Sequence, residues 1–137
     1  PHAAAEIDRV AIKKTDFEVP DVSGNLIIEG AGGLMVPVNS EGLLYIDLFV
    51  SWKLPVILIS RHYLGSINHT LLSAEALKSR NIPIAGVVFV GDQNEATESI
   101  ILKVTGIPLI GRIPLVEEVN RDFVQDQAQQ FKHFFSK

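Results

Sequence analysis

The chain has 137 residues, 47% of them hydrophobic and 20% charged, which is an ordinary composition for a globular domain with its own core. Its net charge of −4 disfavours nucleic acid or an anionic membrane surface as a partner, and its lack of cysteine excludes disulfides and thiolate metal sites. No apolar run approaches membrane-spanning length and no signal peptide is visible, so we expect one cytoplasmic domain over residues 1–137.

The first part of the chain predicts two helices and a short strand between them. Residues 1–14 carry alanines and part of an apolar face, as the end of a helix does, and Pro20 and Gly24 break the loop that follows. Leu26–Ile28 predict a buried strand. The apolar residues between 44 and 52 then predict a short buried helix.

The rest of the chain alternates between apolar runs and helical patterns. Strands are predicted at Pro55–Ser60, Pro83–Val90 and Pro108–Ile110. The first of these runs has no polar alternation, which predicts that both of its faces are covered. Helices are predicted from a Ser66 cap to about Arg80, from an Asn94 cap to about Gly106, and after Pro114.

Strands that alternate with helices favour a parallel sheet with right-handed crossovers, which is an α/β fold. Ligands of such sheets bind at the carboxyl ends of the strands. In chain order those ends are Glu29, Ser60–His62, Val90–Asp92 and Gly111–Pro114.

The stretch after the first predicted strand combines one carboxylate with a glycine turn. Glu29 ends the apolar run, and Gly30, Gly32 and Gly33 let the backbone approach a ligand closely. A carboxylate in that place suits a hard cation such as Mg²⁺, and an ordinary turn with a solvated Glu29 is an equal alternative. A dinucleotide fingerprint is disfavoured because Met35 stands where its third glycine would be.

A second candidate lies in residues 61–70, where a glycine turn opens a helix. The first N–H groups of a helix have no internal partner and can bind a carboxylate or a phosphate, with Arg61 and His62 adding positive charge nearby. Plain capping by Ser66 is the alternative, and the residues alone favour it.

Other titratable residues predict no site. The four histidines are not paired at ligand spacing, so a histidine metal site is disfavoured. Glu117 and Glu118 are expected in the first turn of the last helix, where they favour its dipole. Asp92, Glu95 and Glu98 are expected to form a solvated loop and helix start.

Taken together, these segments resemble the dethiobiotin synthetase family of biotin synthesis. The order of E-G-A-G-G and L-G-S-I-N-H is the specific part of the likeness, which covers nearly the whole chain. The matching segments are I-I-E-G-A-G-G-L-M-V-P at 27–37, L-P-V-I-L-I-S at 54–60, L-G-S-I-N-H at 64–69, I-A-G-V-V-F at 84–89 and G-R-I-P at 111–114.

The resemblance implies a three-layer, mostly parallel α/β domain of the P-loop NTPase group and an ATP- and Mg²⁺-dependent ligase. Its substrates would be 7,8-diaminopelargonic acid and CO2, and it would act as a homodimer. The diamine takes up CO2 as a carbamate, ATP phosphorylates the carbamate, and the second amine closes the cyclic urea of dethiobiotin. Such phosphoryl transfer depends on positioning and charge neutralisation.

The resemblance also assigns roles to residues, although it assigns no catalytic side chain within this chain. Glu29 would be a Mg²⁺ ligand, and a turn that receives the substrate's carboxylate across the dimer interface would be formed by Leu64, Gly65, Ser66, Ile67 and Asn68. The nucleotide would contact Glu29, Gly30, Ala31, Gly32, Val90, Gly91, Ile113, Pro114 and Leu115.

The sequence departs from the family pattern in two respects. Val90 stands where the family usually has asparagine, and valine cannot make the amide hydrogen bonds that read adenine. No G-x-x-x-x-G-K-T/S motif is present, so we expect the family's phosphate loop to precede Pro1 and this chain alone to be inactive.

Two alternatives remain beside the ligase. One is a non-catalytic dimerisation or regulatory module with a synthetase-like fold. The other is a synthetase or amidoligase that acts on a different acid, and the L-G-S-I-N-H match argues against it.

Overall fold

The computed structural model describes residues 1–135, and their contacts divide them into two compact units. The first unit comprises Pro1–Leu54 and Ser79–Ile82. The second comprises Pro55–Lys78 and the described chain from Pro83 onward. The expectation of one domain over the whole chain stays a prediction.

The first unit holds two short α-helices, a 3-10 turn and an apolar cluster to which the 3-10 turn and the second helix contribute. Its helices are α1 (His2–Asp8), a 3-10 turn at Lys14–Phe17 and α2 (Tyr45–Trp52). Val38, Tyr45 and Leu48 are buried together in this unit. The Trp52 indole N–H donates to the Phe17 carbonyl at 2.7 Å, which fixes the end of α2 on the 3-10 turn. The predicted buried helix is therefore confirmed.

The strand predicted at Leu26–Ile28 is wrong. These residues have no regular secondary structure, and Ile27 is 84% exposed. A strand exists only where a neighbouring strand accepts from its N–H groups and donates to its C=O groups. No strand pairs with this segment among residues 1–135.

The second unit contains a parallel sheet of order β1-β2-β3, which confirms the α/β class. In the register of the sheet, Ser60 pairs with Phe89, and Phe89 pairs with Arg112. Its elements are β1 (Val56–Arg61), α3 (Ser66–Ser79), β2 (Ile84–Val90), α4 (Glu95–Thr105), β3 (Leu109–Ile113) and α5 (Arg121–Phe135).

The two faces of this sheet are covered unequally. On one face, the hydroxyls of Ser60 and Thr70 lie 2.7 Å apart and join β1 to α3. On the other face, α5 packs on β3 so closely that a Cβ on Gly111 would lie 2.6 Å from the Phe131 ring. Ile59 belongs to this second face and is 64% exposed. The expectation that both faces of β1 are covered is wrong, because α5 lies over β3 instead.

The termini of α4 and α5 follow ordinary capping chemistry. The Asn94 side chain accepts from the Thr97 N–H at 3.0 Å, and Gly106 ends α4 at φ 66°, as predicted. The Asn120 side chain likewise accepts from the Phe123 N–H at 3.0 Å. Helix α5 therefore begins after Glu117 and Glu118, and their predicted place in its first turn is wrong.

Among residues 1–135, no helix combines the length and apolar character that crossing a bilayer requires.

Candidate functional site

Two of the predicted nucleotide segments meet at the carboxyl edge of the parallel sheet. The Gly91 N–H donates to the Ile113 carbonyl at 3.0 Å, which holds the end of β2 beside the end of β3. Gly91 has φ +120°, a conformation that side chains rarely adopt, and a Cβ there would lie 4.0 Å from Leu115. Val90, Gly91 and Ile113–Leu115 thus form one continuous strip of backbone and apolar side chain.

His62 packs against this strip from the end of β1. Its backbone N–H donates to the Val90 carbonyl at 3.0 Å, and its ring stacks on Phe89 with centroids 5.5 Å apart. A Cβ on Gly91 would lie 3.7 Å from the His62 ring. The His62 ring thus packs on Phe89 beside Gly91, and the positive charge that protonated His62 would add near the start of α3 stays a prediction.

Glu98 is the residue of this region that the sequence missed. It is only 5% exposed, so its expected place in a solvated helix start is wrong. Its carboxylate accepts from His62 Nε2 at 2.9 Å, from Arg112 Nε at 3.0 Å, from Arg112 Nη2, and from the Asn94 N–H at 3.2 Å. The signal lay in helical spacing, because Glu98 shares the buried stripe of Ile101 and Thr105.

The Arg112 guanidinium is the main cause that lowers the pKa of Glu98 to about 2. Burial opposes this shift, and hydrogen bonds from His62 and from the Asn94 backbone add to it. In turn, Glu98 raises the pKa of Arg112. Because the ionised carboxylate only accepts, His62 Nε2 carries the proton, and Nδ1 is buried without a partner among the described residues.

The predicted substrate turn is an open loop on the surface of the second unit. Leu64 is fully exposed, and Gly65 has φ +106° directly before α3 begins at Ser66. The N–H groups of Ser66 and His69 donate to the carbonyls of Tyr63 and Gly65. No carbonyl of the described chain outside the helix accepts from Ile67 or Asn68, whose N–H groups remain open to a ligand.

A small pocket of about 100 Å³ lies behind this turn. The Tyr63 hydroxyl hydrogen-bonds His69 Nδ1 at its rim, and Arg61 is the cation in its lining. Ser60 and Thr70 supply paired hydroxyls to the wall. The pocket is therefore small, with a lining about half polar and half apolar, and its size suits a carboxylate group more than a nucleotide base.

The glycine turn after Glu29 belongs to the first unit and lies against the start of α2. The Ile46 N–H donates to the Leu34 carbonyl at 3.0 Å, and a Cβ on Gly30 would lie 3.6 Å from the Tyr45 ring. Gly32 has φ +102°. Glu29 itself is exposed, and its carboxylate has no hydrogen-bond or ion-pair partner in residues 1–135.

An exposed, uncommitted carboxylate fits the way proteins hold Mg²⁺, with one or two carboxylates completed by phosphate oxygens and water. No group of three His, Cys, Asp or Glu residues in the described chain could enclose a metal ion by itself. The assignment of Glu29 as a Mg²⁺ ligand therefore stays a prediction.

Comparison with known proteins identifies a matching family and several relatives. A family model described as an AAA domain matches residues 1–122. The chain is 50% identical over 125 residues to the ATP-dependent dethiobiotin synthetase BioD of Rhodopseudomonas palustris strain BisB18, a match that covers 91% of this chain and 59% of that protein. The enzyme of the same name from strain HaA2 is 48% identical over 132 residues, with 96% and 62% covered.

A third relative of that name, from Brucella ovis, is 47% identical over 120 residues, which are 88% of this chain and 56% of the relative. The chain thus spans about three-fifths of the length of the curated relatives it matches. The P-loop NTPase-like class that the sequence predicts agrees with the family model and with the parallel sheet. Since that model matches most of its length, the chain belongs to the AAA-domain family and is similar to ATP-dependent dethiobiotin synthetases.

Proposed function

We propose that the complete gene product carrying this chain is an ATP- and Mg²⁺-dependent cyclo-ligase that forms dethiobiotin from 7,8-diaminopelargonic acid and CO2 in biotin synthesis. The observation that carries the proposal is the similarity of 88–96% of the chain to proteins named ATP-dependent dethiobiotin synthetase. The open turn before α3 supports it through the N–H groups of Ile67 and Asn68, and the strip at Val90–Gly91 and Ile113–Leu115 supports it through apolar surface that includes the exposed Leu115 side chain.

The chemistry requires three bonds to form in order. One amine of the diamine adds to CO2 and loses a proton to give a carbamate. A carbamate oxygen then takes the γ-phosphoryl group of ATP, and ADP leaves. The second amine attacks the carbamoyl carbon and loses a proton, the ring closes, and inorganic phosphate leaves with the carbamate oxygen. Catalysis of such transfers depends on orientation and on neutralising charge.

In this scheme the residues of the chain bind and orient the substrate and the nucleotide. Glu29 holds Mg²⁺, which neutralises phosphate charge when bound, and the Gly30–Gly32 backbone lies near the phosphates. The open N–H groups of Ile67 and Asn68 bind the substrate's carboxylate, favoured by the positive end of the α3 dipole. A second subunit completes this substrate site, so the active protein is a homodimer with two-fold symmetry.

The adenine base lies on the strip formed by Val90, Gly91 and Ile113–Leu115. Val90 has no side-chain amide, so the base is held by backbone groups and apolar contact. We therefore expect weaker discrimination among nucleoside triphosphates than an asparagine at position 90 would give.

Phosphate release tests the proposal. With the diamine, bicarbonate, ATP and Mg²⁺, the complete gene product is expected to release phosphate only when all four are present. The chain of residues 1–137 by itself is expected to release none. A folded gene product without turnover would contradict the ligase and favour the non-catalytic module. Turnover by residues 1–137 alone would contradict the role given to a phosphate loop outside them.

A further inference from the structure

The Glu98 carboxylate ties together three segments that end beside the proposed base-binding strip, and the reaction scheme above gives it no part. It accepts from His62 Nε2 at 2.9 Å at the end of β1, from Arg112 in β3, and from the Asn94 N–H at 3.2 Å before α4. The Glu98 side chain is 7% exposed, so these charge-assisted bonds are poorly screened by water.

His62 links the Glu98 carboxylate to Val90 and Gly91. Its backbone N–H donates to the Val90 carbonyl at 3.0 Å, and its ring packs 3.7 Å from where a Gly91 Cβ would be. With Nε2 bonded to Glu98 and the ring stacked on Phe89, the imidazole has one fixed orientation. That orientation sets the surface on which Gly91 rests.

Arg112 links the Glu98 carboxylate to the other half of the strip, Ile113–Leu115. Its guanidinium bonds both oxygens of Glu98, a two-point contact that fixes direction as well as distance. Arg112 directly precedes Ile113, whose carbonyl accepts from the Gly91 N–H at 3.0 Å. The two halves of the strip are therefore joined directly at Gly91 and indirectly through Glu98.

We propose that Glu98 is a positioning residue for nucleotide recognition, which holds Val90–Gly91 and Ile113–Leu115 in the arrangement that accepts the base. The inference rests on the proposed ligase function and adds the group that sets its affinity for ATP. Because Val90 offers no amide, base binding depends on the spacing of backbone and apolar surface, and Glu98 fixes that spacing through His62 and Arg112.

The test is Glu98→Gln in the complete gene product, which keeps the size of the side chain and removes its charge. The KM for ATP is expected to rise about tenfold, as misplacing a binding segment by a fraction of an ångström would cause. The kcat and the KM for 7,8-diaminopelargonic acid are expected to stay within twofold. Glu95→Gln is the matched control, since Glu95 lies one turn earlier on α4 and is exposed. An unchanged KM for ATP in folded Glu98→Gln would overturn the proposal.

A second pair of variants keeps the test decisive if Glu98→Gln fails to fold. His62→Gln retains an N–H donor for Glu98, whereas His62→Leu does not, and both leave the Glu98–Arg112 pair in place. The KM for ATP is expected to rise about tenfold for leucine and distinctly less for glutamine, which loses the ring packing but keeps the bond to Glu98. Equal KM values for the two variants would overturn the proposal.

Calorimetric titration with ATP separates this inference from the ligase function. If the wild-type protein showed no turnover, the ligase function would be contradicted. The titration would still compare the ATP affinities of the wild type and its variants. A loss of about tenfold in affinity in Glu98→Gln, with none in Glu95→Gln, would support the positioning role. Equal affinities would contradict it.

Discussion

At the scale of single residues, two carboxylates have opposite environments and opposite proposed roles. Glu29 is exposed and has no partner in the described chain, which leaves its charge free for a cation. Glu98 is buried, and its two carboxylate oxygens accept hydrogen bonds from four donor groups. The first is expected to matter for turnover, and the second for stability and for the shape of the base-binding strip.

For Glu29 we predict that Glu29→Gln in the complete gene product lowers kcat by about a hundredfold, the scale on which one electrostatic stabiliser contributes. The loss is expected to be largest at limiting Mg²⁺, because one of few oxygen ligands has been removed. The thermal midpoint should hardly change, since an exposed side chain packs little. Steady-state turnover across a Mg²⁺ titration measures the effect.

Glu41→Gln is the control for this variant, since Glu41 is also an exposed carboxylate of the first unit. Near-normal turnover of Glu29→Gln at limiting Mg²⁺ would defeat the metal assignment. A similar loss in Glu41→Gln would show a general charge effect instead.

For Glu98 we predict a loss of stability in acid. Its pKa is lowered from 4.5 to about 2 in the fold, so its contribution is present above about pH 5 and disappears as the pH falls toward 2. By linkage that contribution is on the order of 3 kcal/mol at neutral pH. Urea unfolding of wild type and Glu98→Gln should therefore differ at neutral pH and converge in acid. A difference that does not depend on pH would contradict the ion-pair account.

At the scale of elements, the turn before α3 combines strain with exposure. Gly65 has φ +106°, and the helix start behind it leaves the N–H groups of Ile67 and Asn68 open. Any Cβ at position 65 forces this turn to change its path. Carboxylate binding is therefore proposed to depend on the geometry of this turn.

We predict that Gly65→Ala raises the KM for 7,8-diaminopelargonic acid about tenfold while the KM for ATP stays within twofold, because only the carboxylate-binding turn is displaced. Initial rates with each substrate varied in turn measure both constants. Gly24→Ala is the control, since a Cβ there meets nothing within 4 Å and φ is not in the left-handed range. Equal effects on both KM values would argue against a separate carboxylate turn.

Elements that the local sequence marks with apolar runs or capping residues could be predicted. Elements that depend on pairing with a neighbouring strand or helix could not. Apolar runs bounded by Pro55 and Pro83 predicted two strands of the sheet, and the caps Asn94 and Gly106 predicted the limits of α4. Leu26–Ile28 has the same apolar composition, but no strand of residues 1–135 pairs with it, so composition alone led to a wrong prediction.

The candidate site shows the same division. The glycine turns could be found from sequence because positive φ values require glycine at positions 32, 65 and 91. The bonds from Glu98 to His62 and Arg112 span 36 and 14 residues, and only the register of the parallel sheet brings those residues together. Local helical spacing could have indicated a buried face on α4 that includes Glu98, but not the identity of the charged partners of this residue.

At the scale of the whole molecule, the proposed substrate turn needs a second subunit, so the complete gene product is expected to sediment as a dimer. Leu64 is fully exposed on this turn, and an exposed large apolar side chain is well suited to such a contact. Sedimentation velocity is the measurement, and Leu64→Asp is expected to shift the protein toward monomer. A stable, active monomer would remove the cross-subunit site.

The central claim is that the protein closes a cyclic urea at the expense of ATP. The most direct measurement supplies isotopically labelled bicarbonate with 7,8-diaminopelargonic acid, ATP and Mg²⁺ to the complete gene product, and follows the products by mass spectrometry. We expect dethiobiotin with the label in its ureido carbonyl and one ADP for each ring closed, with no product when ATP is omitted. A folded, ATP-binding protein that forms no labelled dethiobiotin, or that forms it without ATP, would contradict the proposed ligase function.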